Sequence, residues 1–302
     1  MAKYLVTGGA GFIGSTLVAR LLREGHEVRI VDNLSTGKRE RVPSSAEFIL
    51  ADITNADAIR DAFHGMDGVF HTAALPRIPY SIEHPVESAT NNILGTIAVL
   101  TAAKDAGVKR VVYSASSSAY GATDVLPQHT ELIPQPMNPY GLQKYVGEQF
   151  CQIFNKIYGL ETVCLRYFNV YGPSMADEGA YVTVISVFKQ QRLAGQLLTI
   201  AGDGEQTRDF THVYDVVDAN VRAMSSPKVG KGDVLNVGTG TSHSINKIAA
   251  IFGVPTVSIA ARGNEARHSM ADISKTRELI GWTPQIAFED GLSDLLREWG
   301  MK

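Results

Sequence analysis

The sequence predicts an α/β protein: a doubly wound parallel sheet with a smaller, discontinuous α/β part beside it. Three observations carry this. Short apolar runs alternate with amphipathic stretches through the first half of the chain. A glycine-rich turn, Gly8-Gly9-Ala10-Gly11-Phe12-Ile13-Gly14, joins the first apolar run to the first amphipathic stretch. The alternation then loosens after Gly172-Pro173. The chain has 302 residues, 44% hydrophobic and 20% charged, so it has the material for a large core and the surface of an ordinary globular protein. A net charge of -3 provides no global positive field, so neither nucleic acid nor an anionic membrane is an expected partner.

Lys3 to Thr7 reads as the first strand, and Ile13 to Glu24 as a helix with Leu17, Leu21 and Leu22 on one face and Gly25 as its stop. Strands follow at Val28 to Asp32, Glu47 to Ala51 and Gly68 to His71. A helix over Ile93 to Ala106 leads to a fifth strand, Val108 to Ser114. The helix carrying Tyr140 and Lys144 leads to a sixth, Val163 to Tyr167. Arg208 to Met224 and Val234 to Val237 look like returns to the main sheet. The expected division is therefore 1–172, with returns near 208–224 and 234–237, for the sheet, and 173–207 plus 239–302 for the smaller part. The two cysteines, Cys151 and Cys164, lie in apolar segments without metal-ligand spacing, so neither a metal site nor a disulfide scaffold is expected. The chain runs from Met-Ala-Lys straight into an apolar strand, and no apolar run approaches bilayer length, which makes a cytoplasmic location the default expectation.

The glycine turn is the first chemical clue. One glycine permits the tight turn, another lets backbone approach a pyrophosphate, and a third lets helix pack on strand. The helix N-terminus then presents free N–H groups and a partial positive charge to phosphate. Asp32 ends the second strand, where a carboxylate accepts both adenosine ribose hydroxyls and repels a 2′-phosphate, favouring NAD. Lys38, Arg39 and Arg41 lie just downstream, so some use of NADP stays open. Asp52-Ile53 is placed to bracket the adenine, and the small residues Ala73 and Ala74 would let a cofactor cross the sheet edge.

Tyr140 and Lys144 are the second clue. A phenol, with an ordinary pKa of about 10, acts as a base near neutrality only beside a positive charge. Lys144 lies one helical turn on, on the same face. Ser116 and its neighbours end the fifth strand, where a hydroxyl would donate to a substrate oxygen or relay its proton. Without the glycine turn, the same residues would read as an exposed Tyr–Lys pair and a polar strand end.

With these residues in view, the sequence resembles the extended short-chain dehydrogenase/reductase family, and within it the UDP-hexose 4-epimerases. The marks run in order along nearly the whole chain: Thr7 to Gly14, Asp32-Asn33-Leu34-Ser35, Asn91 to Thr96, Ser114 to Gly121, Pro139 to Lys144, Arg166 to Pro173, Gly202 to Phe210 and Ala271 to Lys275. The resemblance implies a Rossmann-type domain holding NAD and a second domain holding a UDP-sugar. It implies catalysis by Tyr140, Lys144 and Ser116 through a transient 4-keto sugar. It carries cofactor contacts onto Gly8, Gly11, Phe12, Ile13, Gly14, Asp32, Asn33, Ser35, Thr36, Gly37, Asp52, Ile53, Ala73, Ala74, Asn92, Ser114 and Tyr167, with Tyr140 and Lys144 shared. Substrate contacts fall on Ser116, Ser117, Asn169, Val184, Ile200, Arg208, Arg262 and Ser269. The two arginines suit a diphosphate. No metal is implied.

Relatives that dehydrate or decarboxylate place an acid just after the strand-end serine or threonine, and Ser117-Ser118-Ala119-Tyr120-Gly121 has none. The resemblance makes Ser269 the gate facing the sugar's C2 substituent. A serine leaves room for an N-acetyl group, so UDP-GlcNAc/UDP-GalNAc are expected substrates beside UDP-Glc/UDP-Gal. Arg77 in the Pro76-Arg77-Ile78-Pro79 loop would suit an acidic sugar and keeps a UDP-glucuronate 4-epimerase as the alternative. A nucleotide sensor or scaffold without chemistry is a remoter one, because the phenol, the lysine and Ser116 are all present. The family pairs its helices across a two-fold axis, so a homodimer is expected through Leu94, Ile97, Ala98, Phe150, Phe154 and Ile157.

Overall fold

The computed structural model describes residues 1–76, 78–121, 123–175, 183–261, 263 and 266–301. The strands in chain order are β1 (Lys3–Thr7), β2 (Glu27–Asp32), β3 (Glu47–Leu50), β4 (Gly68–His71), β5 (Arg110–Ser116), β6 (Glu161–Tyr167), β7 (Asn169–Tyr171), β8 (Leu198–Ala201), β9 (Thr207–His212), β10 (Lys231–Val237), β11 (Ser242–Ser244) and β12 (Thr256–Ile259). The helices are α1 (Phe12–Arg23), α2 (Ala56–Arg60), α3 (Ile78–Glu83), α4 (Pro85–Ala89), α5 (Thr96–Asp105), α6 (Pro139–Tyr158), α7 (Val184–Leu193), α8 (Val213–Ser225), α9 (Ile245–Phe252), α10 (Ser274–Ile280) and α11 (Phe288–Glu298).

Seven strands form one sheet in the order β10-β6-β5-β4-β1-β2-β3, every pair parallel. The order reverses between β1 and β4, and an open parallel sheet binds its ligand in the crevice at such a point. Each face of the sheet carries its own core. One is built around Leu17, Val18 and Leu21 of α1 and Val216, Val217 and Ala219 of α8, the other around Val99 and Leu100 of α5 and Cys151 and Phe154 of α6. A third core, with Tyr171, Phe188, Phe210, Phe252 and Phe288, lies under the later elements.

Two expectations change here. Arg208 to Met224 is not wholly a return to the main sheet. Its strand, β9, pairs with β7 and β11 in a separate three-stranded sheet, and only its helix, α8, packs on the main one. The fifth strand runs from Arg110 to Ser116 rather than from Val108, because the Val108 N–H instead closes the end of α5 on the Ala103 carbonyl at 2.9 Å. Ser116 is the last residue of β5, two positions beyond Ser114.

The helix that bears Tyr140 is well specified. Asn138 caps it through its side-chain oxygen, which accepts from the Gly141 N–H at 2.9 Å. Pro139 opens it, and Gly159 ends it with a left-handed φ of 73°. Gly147 brings it down onto the sheet, since a Cβ there would stand 2.2 Å from the Tyr113 hydroxyl.

Candidate active site

The glycine turn closes on itself and on the loop after β4. A Cβ on Gly14 would stand 2.1 Å from the Gly8 carbonyl oxygen, and one on Gly8, whose φ is +74°, would stand 2.6 Å from the Ala73 nitrogen. Helix α1 starts at Gly11 with no side-chain cap, so its first-turn N–H groups are left to a ligand. The Asp32 carboxylate, buried at the end of β2, accepts from the Ala10 N–H at 2.9 Å and the Leu34 N–H at 2.8 Å. It is thereby aimed along the turn, with lone pairs left for ribose hydroxyls. A cradle that a single methyl would fill, an uncapped helix start and a strand-end carboxylate together fit a dinucleotide.

A cavity of about 1190 Å³ opens from this turn and continues past the ends of β4, β5 and β6 into the smaller part. Its volume exceeds the ~300–1,000 Å³ of a pocket for one small molecule. At the cofactor end it is lined by Gly8, Gly11, Phe12, Ile13, Gly14, Asp32, Asn33, Ser35, Thr36, Ile53, Ala73 and Ala74. Gly37, Asp52 and Asn92 are not part of that lining. Gly37 packs behind Asp32, where a Cβ would meet the carboxylate at 2.9 Å. The Asp52 carboxylate is spent on Thr54 and on the Asn33 amide, at 2.7 Å from the latter. Burial pushes its pKa up, but those hydrogen bonds outweigh burial and hold it below the usual carboxylate range. Asn92 is buried behind the wall. It bonds both backbone groups of Leu75, N–H at 2.8 Å and C=O at 3.1 Å, and donates to the Gln143 carbonyl at 2.8 Å. It lies in a π-helical turn, Thr90–Gly95, that precedes α5. Gly37 and Asp52 thus back the lining residues Asp32 and Asn33, while Asn92 fixes the Leu75 backbone between Ala74 and Pro76 of the wall.

His71 works in the same way. The Thr96 hydroxyl donates to the Asn92 carbonyl at 2.7 Å, so at 3.0 Å it accepts from His71 Nε2–H. The ring's Nδ1 is then the acceptor for the Thr7 hydroxyl at 2.7 Å. Burial, with Lys144 nearby, pushes the His71 pKa down to about 3 and keeps the ring neutral.

The reaction end gathers Tyr140, Lys144, Ser114, Ser116, Ser117 and Tyr167 on the same cavity. Tyr140 is seated by its backbone N–H, which donates to Ser81 Oγ of α3 at 3.1 Å. The Lys144 ammonium donates to the Ser114 carbonyl at 2.9 Å and stands 5.0 Å over the Tyr113 ring. Burial pushes its pKa down to about 8, against the opposing pull of Cys151 and Glu148. The Ser116 oxygen accepts from the Ser118 N–H at 3.2 Å and donates to the Ser118 hydroxyl at 3.1 Å. Tyr167 donates to Asn220 at 2.9 Å and therefore accepts from the Ser114 hydroxyl at 3.1 Å. Burial pushes its phenol up to about 12.

At the far end Asn169, Val184, Arg208 and Ser269 line the cavity. The Asn169 amide donates to the Asp209 carbonyl at 3.1 Å, and Arg208 donates to the Thr207 and Arg267 carbonyls at 2.9 and 3.0 Å. Ser269 is held by its N–H on the Thr207 carbonyl and by its hydroxyl oxygen, which accepts from the Asp209 N–H at 3.4 Å. Ile200 does not line it. The side chains of β8 alternate, so Thr199 and Ala201 face the cavity while Ile200 is buried in the third core. Arg262 and Arg77 lie outside the described residues. Sequence reasoning missed Ser118, Gln206, Arg267 and the α3 residues Tyr80 and Ile82, all on the cavity wall. The spacing of Thr199 and Ala201 was the available signal for β8. The prolines at 76 and 79 masked α3. Among the described residues no group of His, Cys, Asp and Glu has a metal-binding arrangement, and no helix is long and apolar enough to cross a membrane.

A doubly wound sheet with a dinucleotide cradle at its switch point and a Tyr–Lys–Ser centre beside it defines a nicotinamide-dependent enzyme. The profile of the NAD dependent epimerase/dehydratase family matches residues 4–238, and the chain belongs to that family, with NAD as its cofactor. A UDP-glucose 4-epimerase of Mycolicibacterium smegmatis is 38% identical over 304 residues, covering 96% of each chain. The solved UDP-glucose 4-epimerase of Thermotoga maritima with UDP-glucose superposes with a TM-score of 0.93 at 36% identity, covering 98% of this chain and 99% of that one. The UDP-N-acetylglucosamine 4-epimerase of Methanobrevibacter ruminantium, in complex with UDP-N-acetylmuramic acid, gives 0.93 at 34% identity, covering 99% and 98%.

Proposed function

We propose that the protein is a UDP-hexose 4-epimerase acting on UDP-Glc/UDP-Gal and also on UDP-GlcNAc/UDP-GalNAc. The observation that carries this is the convergence of Tyr140, Lys144 and Ser116 on the cavity that begins at the glycine turn. Tyr140 Oη takes the proton of the C4 hydroxyl and returns it after the sugar has presented its other face. The Lys144 ammonium favours the phenolate by its charge. Ser116 Oγ, held by the Ser118 N–H, turns its single proton from the Ser118 hydroxyl to the oxygen at C4 when the sugar binds. NAD held at the glycine turn and Asp32 would supply both the hydride acceptor and the hydride donor for C4, so that oxidation and reduction there balance. Arg208 and Arg262 hold the diphosphate. No carboxylate lies between Ser117 and Gly121, so the acid for expelling water or carbon dioxide is missing and the cycle ends in epimerisation.

The N-acetyl substrates are included because Ser269 is a small side chain on the cavity wall. Residues 173–207 and 239–302 act as the nucleotide-sugar-binding part together with β7 and β9, since the third core joins Phe188, Phe252 and Phe288 to Tyr171 and Phe210. A homodimer is proposed through Leu94 and Ile157, which are 57% and 62% exposed. Phe154 belongs instead to the core beneath α6, and Phe150 and Ala98 pack against that core. A cytoplasmic location accompanies the reading. Incubation with UDP-Glc, UDP-GlcNAc and UDP-GlcA without added NAD, with the epimers resolved by chromatography, tests it. Conversion of the first two is expected. Conversion of UDP-GlcA alone would make the enzyme a uronate epimerase, and no turnover of any would favour a sensor.

A further inference from the structure

The geometry points to Glu148 as the counter-charge of Lys144, fixed in place by Arg166, so that a buried ion pair behind the reaction centre keeps the lysine cationic. This role rests on the assignment of Lys144 above and makes Glu148 a positioning residue, since it touches neither substrate nor cofactor.

Lys144 is buried, and its ammonium has the Ser114 carbonyl and the face of Tyr113 for company. Among the described residues no carboxylate lies within ion-pair distance of it. A buried cation without an anion nearby tends to shed its proton. The groups packed around it come from three elements. From β4 there is the neutral His71, from β5 the Ser114 carbonyl and the Tyr113 ring, and from α6 itself Cys151 and Glu148. Glu148 is the carboxylate in that set. It sits one turn beyond Lys144 on the same helix face and is fully buried.

Glu148 is held firmly. Its two oxygens accept from Arg166 Nε at 2.8 Å and Nη2 at 2.7 Å, a bidentate pairing that fixes the carboxylate plane. The guanidinium lies 4.5 Å over the Tyr120 ring, and the Tyr120 hydroxyl donates to Asn236 at 2.6 Å. The charge at residue 148 is thus anchored to β6, to the loop that follows Ser116–Ser118 and to β10. Burial raises the Glu148 carboxyl above the usual carboxylate range, against the opposing pull of Arg166 and then Lys144. Removal of a buried ion pair in favour of apolar side chains is often neutral or stabilising, so stability alone gives no reason for this one. Service to Lys144 does.

The test is the titration of Lys144 in protein saturated with NAD, followed by ¹³C NMR of the lysine Cε resonances and assigned with Lys144→Met. In the parent, one lysine should titrate well below the others. Glu148→Gln keeps the shape and removes the charge. It should move that titration to lower pH by about one unit or more, and the alkaline limb of the rate profile should move with it. Glu148→Asp should stay close to the parent. A Lys144 titration unchanged in Glu148→Gln would overturn the role, whatever happened to stability. If Glu148→Gln strands Arg166 and does not fold, the Glu148→Gln/Arg166→Gln double variant removes both charges. Lys144 should still titrate lower than in the parent, and a parental value would again overturn the role. The NMR readout does not depend on turnover. A shifted Lys144 in a protein whose Tyr140→Phe variant remained fully active would uphold the counter-charge and refute the catalytic reading.

Discussion

The two ends of the cavity are built from different materials. At the cofactor end the backbone makes the surface: Gly8, Gly11 and Gly14 bring main chain against main chain, and Asp32 is set by two backbone N–H groups. At the far end, where the sugar is proposed to bind, side chains from separate segments make it: Ser117 after β5, Asn169 on β7, Val184 on α7, Arg208 on β9 and Ser269 near the C-terminal part. Between them stands α6, with Tyr140 and Lys144. A surface made by backbone tolerates almost no change at its glycines and says little about the second ligand. A surface made by side chains can be altered one residue at a time, and specificity resides there.

The sharpest way to probe the boundary is Tyr140→Phe. It removes the proposed proton acceptor and little else, so turnover should fall by about 10²- to 10⁴-fold, while UDP-sugar affinity by calorimetry stays within a few-fold. A comparable loss of affinity would place Tyr140 in binding. Next is Gly14→Ala at the backbone-made end. Its methyl would meet the Gly8 carbonyl at 2.1 Å. Stability in urea should drop by about 1–3 kcal/mol, as for other overpacked sites, and the purified protein should lose its NAD. Retained NAD with parental stability would show that the turn yields.

At the side-chain end, Ser269→Tyr should act on one substrate pair. Activity on UDP-GlcNAc should fall by about 10- to 200-fold relative to UDP-Glc, the range a steric gate supplies. Equal losses would remove Ser269 from the gate. The smallest effect concerns stability. Lys144 has its pKa depressed by burial to about 8 in the folded chain, against an unfolded value near 10.5. The unfolded state therefore binds more protons between those values, and stability rises with pH across that window. Below about pH 8 the burial of the charge is fully felt. Lys144→Met should then be more stable than the parent by about 1–3 kcal/mol, with the difference shrinking as pH rises from 8 towards 10.5. A pH-independent difference would show that the charge is not strained.

The same contrast explains what could be read before folding. The turn from Thr7 to Gly14, Asp32 and the Tyr140–Lys144 spacing are contiguous or one helical turn apart, so local pattern and chemistry suffice. The sugar end is assembled by tertiary contacts. Helix α3 follows Pro76 and carries Pro79 in its first turn, so the stretch reads as loop, although its Ser81 seats Tyr140. Ile200 falls on the wrong face of a four-residue strand, because a one-residue choice of phase inverts every side chain. Asp52 and Asn92 carry the right residue type for a ligand, yet both are consumed in fixing neighbours. Phe154 has an apolar character that suits an interface as well as a core, and burial alone decides between them.

The central claim is that hydrogen leaves and rejoins the sugar at C4 within this one cavity, under the phenol of Tyr140. UDP-glucose labelled with deuterium at C4, converted by the purified protein in ordinary water and analysed by mass spectrometry and NMR, tests it directly. Full retention of the label at C4 of the UDP-galactose formed is the predicted result. Loss of the label to solvent, or its appearance at another carbon, would contradict it.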